Sequence, residues 1–205
     1  RPSHADYTGF CKYEGFEDYR GGGHFSGRIT APLVAAGAIL TQALEARGIR
    51  IGTHILYAAG VDDRRFSDYT KEFAYLDTAE FPVLDAEAGA LIRGEILKAA
   101  ADGDSIGGIL ETAVTGVPAG VGEPWFDTLE GMLAHAVFSI PAVKGIQFGG
   151  GFALADLRGS QANDAFYKDA EGIKTRTNFS GGIQGGISNG MPILFETVVK
   201  PTASI

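Results

Sequence analysis

A chain of 205 residues, 45% hydrophobic and 20% charged, has enough apolar side chain for one large core and too much for a disordered segment. Its formal net charge of −8 argues against a nucleic-acid-binding surface, although arginines converging in one cleft would still let an acidic protein hold an anionic substrate. The one cysteine, Cys11, excludes an internal disulfide and a CxxC metal site, reads as a packed or idle thiol and fits a reducing cytoplasm; no metal is expected. No apolar run reads as long enough to span a bilayer, and no signal peptide is present. The chain opens on Arg1-Pro2 without Met, so its start is expected to lie inside a longer reading frame.

In chain order, residues 1–28 read as irregular, being polar, aromatic and glycine-rich. A helix follows, with Thr30 as N-cap, Pro32 in its first turn, an apolar stripe of Leu33, Ala36, Leu40, Ala43 and Leu44, and Gly48 as its stop. A strand then puts Ile49, Ile51, Thr53, Ile55 and Tyr57 on one face. Residues 62–82 are charged and aromatic without periodicity, and Asp62-Asp63-Arg64-Arg65 reads as a solvated charge cluster. A second helix is predicted over residues 85–101, capped by Asp85, facing inward with Leu91, Ile92 and Ile96 and stopped by Gly103. A strand over 106–117 and a Gly/Pro-rich turn over 116–124 come next. Asp127 and Glu130 have capping-box spacing for a third helix carrying Leu129, Leu133 and Val137, broken by Pro141. A strand at 143–148, a loop over 149–190 and a last strand over 193–199 complete the chain. Helix-then-strand recurs at about 30–57 and 127–148. The fold expected is α/β of the α+β type: a single core domain over 1–205 with a weak internal duplication. Its two similar halves each carry a mostly antiparallel sheet backed by helices, without the regularity of a Rossmann fold.

Thirty glycines cluster at 21–23, 149–151 and 181–190, where the backbone either turns tightly or closes on a ligand. Residues 20–28 form a glycine-rich loop running into a helix start, which offers N–H groups to an anion, with Arg28 able to grip it in two bonds; a plain turn and cap is the other reading. It is neither a Walker loop nor a dinucleotide fingerprint. His4 is the side chain type best suited to donate a proton near neutrality, or else a solvated loop histidine. His54 and His135 read as structural. Lys200 and the hydroxyls after it either bind a phosphate or form an exposed tail.

Four stretches, R-P-S-H-A-D-Y-T (1–8), Y-R-G-G-G-H-F-S-G-R (19–28), G-G-I-Q-G-G-I-S-N-G (181–190) and K-P-T-A-S-I (200–205), together resemble the chorismate synthase family, in the family's order. D-S-I-G-G (104–108), G-V-P-A-G-V-G-E-P (116–124), S-I-P-A-V-K-G (139–145) and R-G-S-Q-A-N-D (158–164) support it. The resemblance implies a lyase that uses reduced FMN, without net redox change, to eliminate phosphate and a ring hydrogen from 5-enolpyruvylshikimate-3-phosphate. It implies His4 as a catalytic acid and Arg1 and Arg28 as substrate-binding residues. His24, Phe25, Ser26, Pro141, Ala142, Gly185, Lys200, Pro201, Thr202, Ala203 and Ser204 fall where the family binds FMN. A homotetramer in the cytoplasm is implied as well. Two departures stand out. The commoner loop is G-G-G-R-S-S-A-R, so His24 and Phe25 replace Arg and Ser and remove one fixed positive charge beside the cofactor. The family's outer segments, with a second essential histidine and further arginines, have no counterpart here, so the 205 residues alone are expected to fold without turnover.

Overall fold

The computed structural model describes residues 4–18, 20–170 and 172–202. It begins with α1 (Asp6–Tyr13), a helix where irregular chain was expected, followed by 3-10 turns at Arg20–Phe25 and Gly27–Thr30. The chain then forms α2 (Ala31–Glu45), β1 (Arg50–Ala58), β2 (Val61–Asp62), α3 (Tyr69–Leu76), α4 (Ala86–Ala101), β3 (Gly108–Thr115), α5 (Leu129–Val137) and β4 (Val143–Phe148). After a short α6 (Gly159–Ala162) come the hairpins β5 (Phe166–Asp169) with β6 (Gly172–Thr175) and β7 (Ile183–Gln184) with β8 (Ile187–Ser188), which give structure to the expected long loop; β9 (Ile193–Val199) ends the fold.

Five strands make one sheet in the order β2-β1-β3-β9-β4, every neighbouring pair antiparallel. The expected class, mixed helices with antiparallel sheets, therefore holds. The two helix–strand units, α2–β1 and α5–β4, feed one continuous sheet, joined through the β3–β9 pair. Caps explain the helix starts: Asp85 accepts from Ala88 N–H, Asp68 from Lys71 N–H, and Thr128, one residue beyond the expected cap, from Gly131 N–H.

One face of the sheet is apolar. Ile193 and Phe195 of β9 and Ile183 are buried there against Leu129, Leu133 and Val137 of α5. The other face carries a polar row. His54, Glu111, Glu196 and Gln147 are successive cross-strand partners on β1, β3, β9 and β4. The buried face of β1 is thus Gly52, His54, Leu56 and Ala58, the alternate set to the one read from the sequence. The apolar pattern misled because the odd positions hold the larger hydrophobes while the even ones hold the residues that need partners.

His54 is fully buried, with Nδ1 2.9 Å from Asp63 Oδ2 and Nε2 2.9 Å from Glu111 Oε2, and Phe66 packs edge-on to its ring. Both ring nitrogens therefore face carboxylates. Arg65 donates to Glu111 and Glu196, and Gln147 Nε2 donates to Glu196 Oε2 at 2.6 Å. Arg64 pairs with Glu72, whose carboxylate also accepts the Ser67 and Asp68 N–H groups. Within the run 62–65, Asp62, Arg64 and Arg65 are exposed as expected, but Asp63 is buried and accepts the N–H groups of Arg64, Leu84 and Asp85.

Helix α2 differs from the rest. None of it is buried, and the helical stretch Gly27–Glu45 is, by length and composition, apolar enough to cross a membrane. This corrects the expectation that no such run exists. A helix apolar on all sides belongs inside something larger. On α4, Ile92 is fully buried as expected, but Leu91 and Ile96 are exposed.

Two predictions follow from this packing. Gly52 lies under the Phe73 ring, and a Cβ there would overlap Cδ1 and Cε1 of that ring. Gly52→Ala should therefore cost about 1–3 kcal/mol by overpacking, read as a lowered Tm; an unchanged Tm would remove Phe73 from that position. The second concerns acid. Burial pushes the Glu111 and Glu72 carboxyls up, but the His54 contact on Glu111, the Arg64 contact on Glu72 and backbone N–H donors outweigh it and hold both below the usual carboxylate range. The unfolded chain then takes up protons first, so this stabilisation is complete above the unfolded value near about 4 and is lost as pH falls through the lower folded values. Tm should hold between about pH 7 and 5 and fall steeply below about pH 4. A Tm independent of acid would contradict it, and Glu111→Gln should flatten the fall.

Candidate functional site

Strand β9 delivers the site. As it ends, the Lys200 N–H donates to the Ala142 carbonyl at 2.9 Å, tying the exit of β9 to the entry of β4. Two residues on, the Thr202 carbonyl accepts from Ser105 Oγ at 2.8 Å. Ala142 holds φ of 70°, a left-handed backbone that costs an L-residue roughly 1–2 kcal/mol. That turn aims its carbonyl at Lys200, just ahead of the bulge between Val143 and Gly145.

The 3-10 turns wall the opposite side. Gly21, Gly22 and Gly23 all have positive φ, a run that only glycine sustains without strain. It folds the chain back so that a Cβ on Gly23 would lie 2.5 Å from the Asp18 carbonyl. His24 then sits 5.4 Å from the Tyr13 ring of α1 and 5.0 Å from Phe25, edge-to-face with both. Ser26 caps the second turn, accepting the Arg28 N–H.

Between these walls lies a cavity of about 520 Å³ lined by His4, His24, Phe25, Pro141, Ala142, Lys200, Pro201 and Thr202, with Ala5, Gly27, Ile29 and Ser139. The fold thus brings together residues from both ends of the chain and from the 139–142 turn. His4, partly buried, has Nδ1 3.6 Å from Asp6 Oδ1. Histidine, lysine, aromatic ring and backbone converge there, and among the described residues no Asp or Glu lines the wall.

Other expected residues lie apart. Arg28 is exposed and does not line the cavity; its guanidinium lies over Gly21, where a Cβ would come within 3.0 Å of Nη1. Ser26 supports the loop from behind. Gly185, at the β7–β8 turn with φ of 64°, is not on the cavity wall. Arg1, Ala203 and Ser204 fall outside the described residues. Cys11 is exposed on α1, and His135 is exposed on α5. Among the described residues, no group of three or more His, Cys, Asp or Glu side chains is placed to hold a metal ion.

Sequence reasoning missed a second cavity of about 630 Å³ over the polar row, walled by Arg65, Glu111, Gln147, Glu196, Phe152 and Phe179. The one available signal was the polar residue recurring at matched positions of four strands, visible only once the register is known. Beside it, the buried Asp164 accepts from Thr177 Oγ1 and from the Phe179 and Ser180 N–H groups, which fixes the excursion carrying β5 and β6.

An antiparallel α+β scaffold thus carries, at the exit of β9, a cavity with one lysine and two histidines on its wall. Sequence comparison supplies the family: the profile described as chorismate synthase matches residues 1–205, and the chain belongs to that family. It is 47% identical over 207 residues to the chorismate synthase of Dehalococcoides mccartyi, covering 100% of this chain and 56% of that protein. It is 48% identical to that of Chitinophaga pinensis, covering 100% and 52%, and 43% identical to that of Korarchaeum cryptofilum, covering 100% and 56%. The chain thus spans about half the length of these curated relatives. A solved structure titled "Crystal Structure of Chorismate Synthase" superposes with a TM-score of 0.87 at 30% identity, over 96% of this chain and 63% of that one.

The strained Ala142 turn gives a direct check. Ala142→Gly should be neutral or raise stability by up to about 1 kcal/mol, whereas Ala142→Val should lower it by more than that, because a branched side chain tolerates positive φ worst. Equal effects of the two substitutions on Tm would mean that this turn is not left-handed.

Proposed function

We propose that this chain is the central part of a chorismate synthase. In this reading the whole protein eliminates phosphate from 5-enolpyruvylshikimate-3-phosphate to give chorismate, and reduced FMN occupies the cavity at the β9 exit. The observation that carries the reading is that one cavity gathers His4, His24, Phe25, Pro141, Ala142 and Lys200, residues the family's motifs single out from four separate stretches. The residues fit such a group. Lys200 offers a point charge to a phosphate, Phe25 a ring against a flat surface, and the backbone at Gly27 and Ala142 approaches without bulk.

When bound, reduced flavin lends electron density that helps phosphate leave and then recovers it. The chain's own residues bind and move protons. His4 is the general acid, with Asp6 beside Nδ1 holding the ring. Arg28 is carried as a substrate-binding residue on family motif alone, outside the cavity but two residues from its Ser26 support. Gly185, Ala203 and Ser204 belong to the cofactor site on the same ground, and Arg1 to the substrate site. The two helix–strand units support reading the 205 residues as one domain with an internal duplication. Association of copies belongs to the same reading: Leu33, Val34, Ile39 and Leu40 on α2 are all more than half exposed and need a cover.

The test uses the longer protein that contains this chain. His4→Ala should lower turnover of 5-enolpyruvylshikimate-3-phosphate by at least about 10²-fold while FMN binding weakens far less. Turnover near wild type would move the proton donor to another group.

A further inference from the structure

We propose that His24 makes anion capture in the β9-exit cavity pH-dependent, so that a phosphate-bearing ligand is held more tightly in weakly acidic than in weakly alkaline solution. This rests on the reading that the cavity receives the phosphate-bearing FMN. Among the described residues, three on the wall can carry positive charge, His4, His24 and Lys200, and none is Asp or Glu. Lysine keeps its charge through neutrality, while imidazole is the side chain whose charge ordinarily changes there. Most of the cavity's switchable charge is therefore histidine.

The two histidines have different company. His4 has the Asp6 carboxylate 3.6 Å from Nδ1, so its proton completes a pair of opposite charges. His24 is flanked by two rings, Tyr13 from α1 and Phe25 from its own turn, neither of them acidic near neutrality. The titratable groups near it, among the described residues, include His4 with Asp6, Lys200 at the end of β9, Glu17, whose Cγ would lie 3.9 Å from a Cβ on Gly9 beside the Phe25 ring, and Asp18, packed behind Gly23 and paired with Arg20 at 3.0 Å. The turn from Ser139 to Ala142 contributes no titratable side chain to the wall. A proton on His24 thus adds a positive charge that no carboxylate of the wall cancels, held in place by the two edge-to-face rings. A bound phosphate gains a charge-assisted hydrogen bond from it only in that state. Arginine at this position would supply the same charge at every pH.

The experiment measures FMN binding to the longer protein that contains this chain by flavin fluorescence, from about pH 5.5 to 8.5, for the native protein and for His24→Arg. Comparing the two proteins at each pH cancels the titration of the ligand's own phosphate. The expected ratio of affinities, variant over native, is near one at the acid end and rises to about tenfold at the alkaline end. Riboflavin, which lacks the phosphate, should show no such rise. A ratio that stays constant with pH, or one that rises equally for riboflavin, overturns the proposal and leaves the FMN reading standing. No FMN binding by either protein at any pH overturns both.

Discussion

The fold turns on one strand that is hydrogen-bonded along both edges. β9 pairs with β3 on one side and β4 on the other, and so joins the two helix–strand units into a single sheet. Its exit then fixes the site, because the Lys200 N–H to Ala142 bond sets where the final residues lie relative to the 139–142 turn. The cavity wall formed by Lys200, Pro201 and Thr202 is a continuation of sheet geometry. The opposite wall is looser in origin, made of short 3-10 turns held by Ser26, by the glycine run and by ring contacts to α1.

The same strand carries the cost of the interior. Glu196 on β9 and Glu111 on β3 are cross-strand partners, and like charges facing each other across a sheet repel. Arg65 reaches both, His54 binds Glu111 from the other side, and Gln147 binds Glu196. Buried ion pairs of this kind add little to net stability compared with a well-packed apolar core, but losing one partner strands a charge, at about 3–5 kcal/mol. What the row supplies is register: a one-residue slip of any of the four strands would separate that strand's residue from its partners in the row. The apolar face, with Phe195 and Ile193 against α5, supplies the burial that offsets it.

Much of the fold was legible in local signals. Pro32, Gly48, Asp85, Gly103 and Pro141 marked helix ends, and the ranges of β4 and β9 were read directly. α1 was missed because its eight residues include Gly9 and three aromatics and carry little amphipathic pattern. The buried face of β1 was misread because Gly52 and His54 do not look like core; each is inside for a non-local reason, Phe73 for one and Asp63 with Glu111 for the other. For the same reason Asp63 looked like a solvent residue, and the partners of exposed Arg65 were invisible because they lie up to 131 positions away. The site was legible only through motif resemblance. No periodicity brings His4 to Lys200; the antiparallel sheet does. Arg28, which the motif places in the site, lies outside the cavity wall, and α2, which reads as an ordinary amphipathic helix, has no fully buried residue.

The central claim is that the exit of β9 builds the flavin-binding wall. The most direct measurement is a crystal structure of the chain soaked with FMN. The account predicts the flavin between the His24–Phe25 turn and the Ala142–Lys200 junction, with its phosphate toward Lys200 and no displacement of the Lys200 N–H to Ala142 bond. Flavin bound instead in the cavity over Glu111 and Glu196, with the β9 exit empty, would contradict it.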